Sequence, residues 1–206
     1  MYARSTTVHA DPQRIDDGIA YIRDEVMPAV QSMPGCMGLS MLCDRESGRC
    51  IVTTSWDSAE SMSASRDAVM PMRERATEVM GGGFDVQEWE ISVLHRAHQA
   101  PEGACCRVTW TRGDPARMDE MTETFRTGLI PRLDDIPGFC SVSMMGDRQT
   151  GMGVLTATYD DRAALEGSAK AVRGMREQFT QQMGLEITDM AECELAIHHL
   201  RVPEMA

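Results

Sequence analysis

Displaced by 103 positions, the sequence matches itself. Residues 3–80 laid against 106–183 give 25 identities in 78 positions without a gap. Among them are Asp11 and Pro12 with Asp114 and Pro115, Pro28 with Pro131, and Pro34 and Gly35 with Pro137 and Gly138. Asp44, Arg45 and Gly48 match Asp147, Arg148 and Gly151, and Arg73 and Glu74 match Arg176 and Glu177. One extra residue then moves the offset to 104, so that Glu88 and Glu90 meet Glu192 and Glu194. A period of this length makes the 206 residues two like units rather than one irregular domain. The units run over residues 1–98 and 104–206, joined by a linker at 95–103 that carries Pro101 and Gly103.

Each unit reads as strand, helix, strand, strand, helix, strand. The first strands are residues 4–9 and 107–112. Asp11 and Asp114 cap the helices that follow, with proline at the first helical position. Ile15, Ile19, Ile22, Val26 and Val30 recur at helical spacing, as do Met118, Met121, Phe125, Leu129 and Leu133. Pro28 and Pro131 kink or end these helices. A Pro-Gly turn opens the second strands at 36–43 and 139–145, and loops ending at Gly48 and Gly151 close hairpins onto strands 50–56 and 154–159. Second helices over 59–80 and 163–183 lead to fourth strands at 87–94 and 192–199. The order βαββαβ is the ferredoxin-like unit. The bare faces of two such sheets in one chain are expected to cover each other, giving an α+β protein whose tandem repeats build one intramolecular barrel.

The formal charge of −12 gives no basic footprint for nucleic acid. No apolar run reaches the roughly 20 residues of a membrane span, and the first ten residues lack a signal-peptide core. The expectation is a cytoplasmic protein, either a monomeric barrel or a homo-oligomer, without nucleic-acid or membrane partners. Seven cysteines, without a CxxC pair, read as reduced core thiols, with Cys43 and Cys50 placed to face each other across a hairpin. The histidines show no metal-binding spacing, and no metal is expected.

The pattern resembles antibiotic biosynthesis monooxygenase (ABM) domains of the dimeric α/β-barrel superfamily. The likeness lies in Pro28, Pro34, Gly35 and Cys36, in Pro131, Pro137, Gly138 and Phe139, and in strands ending at Trp56 and Asp57 or Tyr159 and Asp160. It covers nearly the whole chain twice. The superfamily includes cofactor-free oxygenases and haem-degrading enzymes, which use a pocket Asn and, for haem, a His on the second helix. This chain has no Asn at all and no His within 59–80 or 163–183. The resemblance implies a pocket for a small apolar or aromatic ligand and oxygen chemistry on an aromatic or quinol-like substrate with no cofactor. The alternative is a non-catalytic binding, structural or assembly protein of the same fold.

Alternation puts Ser5, Thr7 and His9 on one side of the first strand, matched by Val108, Trp110 and Arg112. His9 is the candidate catalytic base, because imidazole titrates near neutrality. Thr7, Trp56, Arg66, Trp110, Arg112 and Tyr159 are the candidate substrate-binding residues. Arg66 would hold an anion, Trp56 and Tyr159 would be pocket walls or packing anchors, and Trp110 would fill the second pocket. Arg73 and Arg176 could hold a carboxylate or phenolate if they face a cavity. Met37, Met41, Met62, Met72, Met80, Met144, Met145, Met175 and Met183 would fill the core or line a site for a flat ligand. Pro71, matched by Gly174, could kink the second helix and open a cleft in the first repeat.

Overall fold

A computed structural model describes residues 1–200 and 202–205, the Leu200 side chain excepted. Arg201 and Ala206, both within the second repeat drawn from sequence, lie outside the described residues. The first repeat contains strands β1 (Tyr2–His9), β2 (Cys36–Asp44), β3 (Arg49–Trp56) and β4 (Phe84–Arg96). Its helices are α1 (Ile15–Tyr21), α2 (Met27–Gln31), α3 (Ala59–Ala64) and α4 (Arg66–Met80). The second repeat has strands β5 (Cys105–Arg112), β6 (Phe139–Asp147), β7 (Met152–Tyr159) and β8 (Glu186–Leu200). Its helices are α5 (Met118–Thr124), α6 (Ile130–Asp134) and α7 (Arg162–Met183). Both repeats are therefore ferredoxin-like, and the strands hydrogen-bond in the closed order β1-β3-β2-β8-β5-β7-β6-β4. No described helix is long and apolar enough to cross a membrane.

The local signals act as their chemistry requires. Asp11 and Asp114 accept hydrogen bonds from the backbone N–H groups of Gln13 and Ala116, and the following prolines open short 3-10 turns into α1 and α5. Pro28 and Pro131 do not stop their helices. Each lacks the N–H that would reach back four residues, and its ring crowds that carbonyl. A π-helical turn ending two residues before it, Ile22–Val26 or Phe125–Leu129, absorbs the misfit, and the helix runs on to Gln31 or Asp134. Cys43 and Cys50 face each other across the β2–β3 hairpin, with their sulfurs 3.4 Å apart.

The compact units do not coincide with the repeats. One comprises Met1–Trp89 and Cys193–Val202, the other Glu90–Glu192 and Pro203–Ala206. The fourth strands outrun their sequence limits, and the far half of each pairs with the other repeat. Met41 of β2 lies opposite Ile197 of β8, and Met145 of β6 lies opposite Ile91 of β4. Without these halves β2 and β6 would be open sheet edges. The paired glutamates hold both halves in place. Glu88 meets Arg4 of its own repeat at 2.8 Å, while Glu90 meets Arg148 of the other at 2.7 Å. On β8, Glu192 meets Arg107 at 2.9 Å and Glu194 meets Arg45 at 2.8 Å. Each unit has its own apolar core, centred on Trp56 in one and on Tyr159 in the other.

Candidate functional site

Strand alternation decides which side chains of β1 and β5 meet the helices. On β1 they are Arg4, Thr6 and Val8, and on β5 Arg107, Thr109 and Thr111; all six line clefts between sheet and helices. Ser5 faces the other way and accepts a hydrogen bond from Trp89 Nε1 at 3.1 Å. The first-repeat cleft has about 40 Å³ of free volume and the second about 90 Å³.

The difference follows from a few aligned residues. Gly18 on α1 lets that helix seat directly against α4, so close that a Cβ there would overlap the Met80 side chain. The matching residue is Met121, whose side chain lines the larger cleft. Phe125 and Phe179, which replace Ile22 and Ala76, meet edge to face with ring centroids 5.8 Å apart and form part of its wall. Met144, Met145 and Met175 line it as well. Pro71 is not the cause, because the wider cleft belongs to the repeat whose second helix, α7, runs unbroken with Gly174 in that place.

Each cleft ends on two arginines. Arg107, 5% exposed, donates from all three nitrogens: to Glu192 Oε1 at 2.9 and 3.1 Å, to Ser168 Oγ at 3.1 Å and to the Leu165 carbonyl at 3.0 Å. It also lies over the Tyr159 ring. Arg4 repeats the arrangement with Glu88, Ser65 and the Met62 carbonyl. The second arginines differ. Arg73 donates Nε to Thr6 Oγ1 at 3.0 Å, and its pKa is lowered to about 10 by burial and then by Arg4. Arg176 has Thr109 in the equivalent place, yet its buried Nε has no partner among the described residues. Burial, followed by Arg107 and Arg173, lowers the Arg176 pKa. The larger cleft thus offers an unpaired cationic donor among methionine, phenylalanine and leucine side chains. No His, Asp, Glu, Cys or Lys is among the described residues lining it.

The residues singled out from sequence lie elsewhere. His9 is 57% exposed at the end of β1, 3.0 Å from Asp85. Arg66 is exposed and joins Arg4 on Glu88 at 3.2 Å. Trp56 and Tyr159 are fully buried in the two cores, and the Trp56 indole donates to Thr54 Oγ1. Thr7 pairs in register with Ile51, Trp110 with Val154 and Arg112 with Met152. None of these seven lines either cleft. Arg4 and Arg107 were not singled out from sequence, although Arg4 and Thr6 recur as Arg107 and Thr109 on one side of the first strand. That shared parity was the available signal.

Over its full length the chain is 45% identical to the uncharacterized Mycobacterium tuberculosis protein Rv2557, spanning 92% of that protein. It is 44% identical to the uncharacterized protein Rv2558 of the same organism, spanning 87% of it. The chain belongs to their family. No protein-family model matches the sequence. Among solved structures, a candidate monooxygenase from Lactobacillus acidophilus superposes with a TM-score of 0.70 at 9% identity, over 97% of this chain and 96% of that one. An anthrone oxidase-like protein gives 0.67 at 13% identity, over 96% and 91%. A Listeria monocytogenes ferredoxin-fold protein related to antibiotic biosynthesis monooxygenases gives 0.55 at 7% identity, over 95% and 94%. At such identities the likeness is one of fold. This chain therefore has the ABM-like α/β-barrel fold expected from its repeats.

Proposed function

We propose that the second repeat binds a small, flat, apolar molecule carrying one anionic oxygen, with that oxygen accepting from Arg176 Nε. The carrying observation is the contrast between aligned pairs: Arg73 is closed onto Thr6, whereas the half-buried Arg176 turns a buried Nε without a partner among the described residues toward the larger cleft. A buried donor left unsatisfied costs about 1–3 kcal/mol, so an acceptor arriving there gains what the protein forgoes. Methionine walls adapt to a flat hydrophobic body. An aromatic carboxylate or phenolate meets both requirements.

The cleft also bears on chemistry. It has no proton acceptor of its own among the described residues, so a phenol or quinol would have to be held as its anion, the form a guanidinium favours. That electron-rich form is the one that gives an electron to O₂. This supports a second reading, a cofactor-independent oxygenase acting on an aromatic or quinol-like substrate, in keeping with the monooxygenase and anthrone oxidase descriptions of the fold neighbours.

Calorimetric titration with 1-naphthoate and neutral 1-naphthalenemethanol tests the binding reading. Arg176→Met should weaken naphthoate about tenfold or more and leave the alcohol within about twofold. Equal naphthoate affinity in the variant, or no binding by wild type, would overturn it. Oxygen uptake with a bound quinol then separates the two readings: an oxygenase turns over at a rate that follows the quinol's own ionisation, and a binding protein does not.

A further inference from the structure

We propose that His98, Cys140 and Asp160 form a binding site for a borderline-soft divalent cation of the zinc class, outside the ligand cleft and specific to the second repeat. The sequence offers no motif here, because the three residues come from three separate segments: the linker after β4, the start of β6 and the residue that follows β7. The fold brings their ligand atoms within 4.8 Å of one another. His98 Nε2 lies 2.7 Å from Asp160 Oδ1, and the Cys140 thiol donates to the same oxygen at 3.2 Å. Ligand bonds of about 2.0–2.3 Å in a tetrahedral site hold donor atoms slightly further apart than this, so small side-chain rotations suffice.

The backbone positions these groups independently of their side chains. The N–H groups of Ala97 and His98 both donate to the Cys140 carbonyl, at 2.8 and 3.2 Å, and fix the linker over the start of β6. The Asp160 N–H donates to the Gly138 carbonyl at 2.8 Å. Gly138 has a φ of 77° and leaves no room for a side chain, since a Cβ would overlap that of Ala164. Cys140 is buried, whereas His98 and Asp160 are 46% and 40% exposed, so the thiol forms the floor and the other two the entrance.

The donor set selects the ion. One imidazole nitrogen, one sulfur and one carboxylate oxygen suit Zn²⁺ or Co²⁺, whereas Mg²⁺ and Ca²⁺ require mostly oxygen. Cys140 binds as the thiolate: its proton leaves to solvent as the sulfur–metal bond forms. Three protein ligands leave a fourth position for water. The first repeat lacks the set, with Met37 in place of Cys140 and Val202 in the place that the 104-residue offset gives to His98. Asp57, which matches Asp160, is instead held by Ser61 and Ser58. A cation at this point would clamp the linker to the sheet of its own unit.

Cobalt titration of the chelator-treated full chain tests the proposal. Expected are one Co²⁺ per chain, a near-ultraviolet thiolate-to-cobalt band, and its displacement by Zn²⁺ but not by Mg²⁺. Cys140→Ser should abolish the band, while His98→Ala, at an exposed position, should weaken cobalt binding about tenfold or more with the far-ultraviolet circular dichroism unchanged. Cys36→Ser should bind like wild type. Absence of the band in wild type, its persistence in Cys140→Ser, or full affinity in His98→Ala would overturn the site.

Discussion

Arg4 and Arg107 are almost wholly removed from water, and a guanidinium in that position is tolerable because each of its three nitrogens donates a hydrogen bond. Each serves as a bracket from the first strand to the second helix, through a serine hydroxyl and a carbonyl one turn apart, with a fourth-strand glutamate neutralising the charge. The contrast with Arg176 is therefore chemical: two arginines line one cleft, and only the first is already spoken for by the fold. The bracket predicts a pH dependence at Glu88. Burial alone would raise its pKa, but Arg4 and then Arg66 outweigh burial and hold it below the usual carboxylate range. A carboxylate depressed in the folded state adds stability above its unfolded pKa, about 4.3, and loses it as pH falls through the folded value. Glu88→Gln should cost about 1 kcal/mol at neutral pH, a figure kept low because Glu88 is 37% exposed. In urea titrations the gap between wild type and variant should close as the medium becomes acidic. A gap unchanged in acid would mean that the charge on Glu88 is not what Arg4 uses.

At the scale of elements, the two repeats show one framework tuned in opposite directions by a few side chains. Gly18 brings α1 onto α4 and narrows the first cleft, while Met121 and the Phe125–Phe179 pair line the wider second one. Gly18→Ala tests this packing, because the two effects of the change oppose each other. Alanine gains about 1 kcal/mol of helix propensity. Its Cβ, however, overlaps Met80, which is fully buried and cannot swing away into solvent. Overpacking of this kind costs about 1–3 kcal/mol, so the urea midpoint should fall rather than rise. A stabilised variant would show that α1 can stand off from α4 freely. The elements themselves were legible in sequence, because caps, Pro-Gly turns and apolar spacing are local. The helix-facing side of β1 was not. Arg4, Thr6 and Val8 are as mixed in polarity as Ser5, Thr7 and His9, so a period of two cannot choose between them. A buried arginine reads as a surface residue until its acceptors, 58 to 84 residues away, are in place. The pocket residues inferred from His9 and Thr7 depended on that choice of side.

For the whole molecule, duplication was plain in the sequence, but strand exchange was not, since nothing local tells residues 193–200 to pair with β2 rather than stay with their own repeat. The trace was the doubled glutamates, which serve two partners: Glu88 and Glu192 bind within the repeat, and Glu90 and Glu194 bind arginines of the other. This division predicts the behaviour of half the chain. Residues 1–98 alone would leave β2 as an open edge, an invitation to pair with another strand. They also carry the remedy. Residues 90–96, which lie on β6 in the full chain, match residues 194–200 in the repeat alignment, with Glu90 in the place of Glu194. A second copy can therefore supply its own β4 to β2, and Arg45 would meet Glu90 as it now meets Glu194. Light scattering should find the fragment dimeric at micromolar concentration. Arg45→Glu should weaken that dimer by setting like charges against each other, and adding Glu90→Arg should restore it. A stable monomer, or a dimer indifferent to both changes, would mean that the exchanged strands are held by something other than these glutamates and the edges they close.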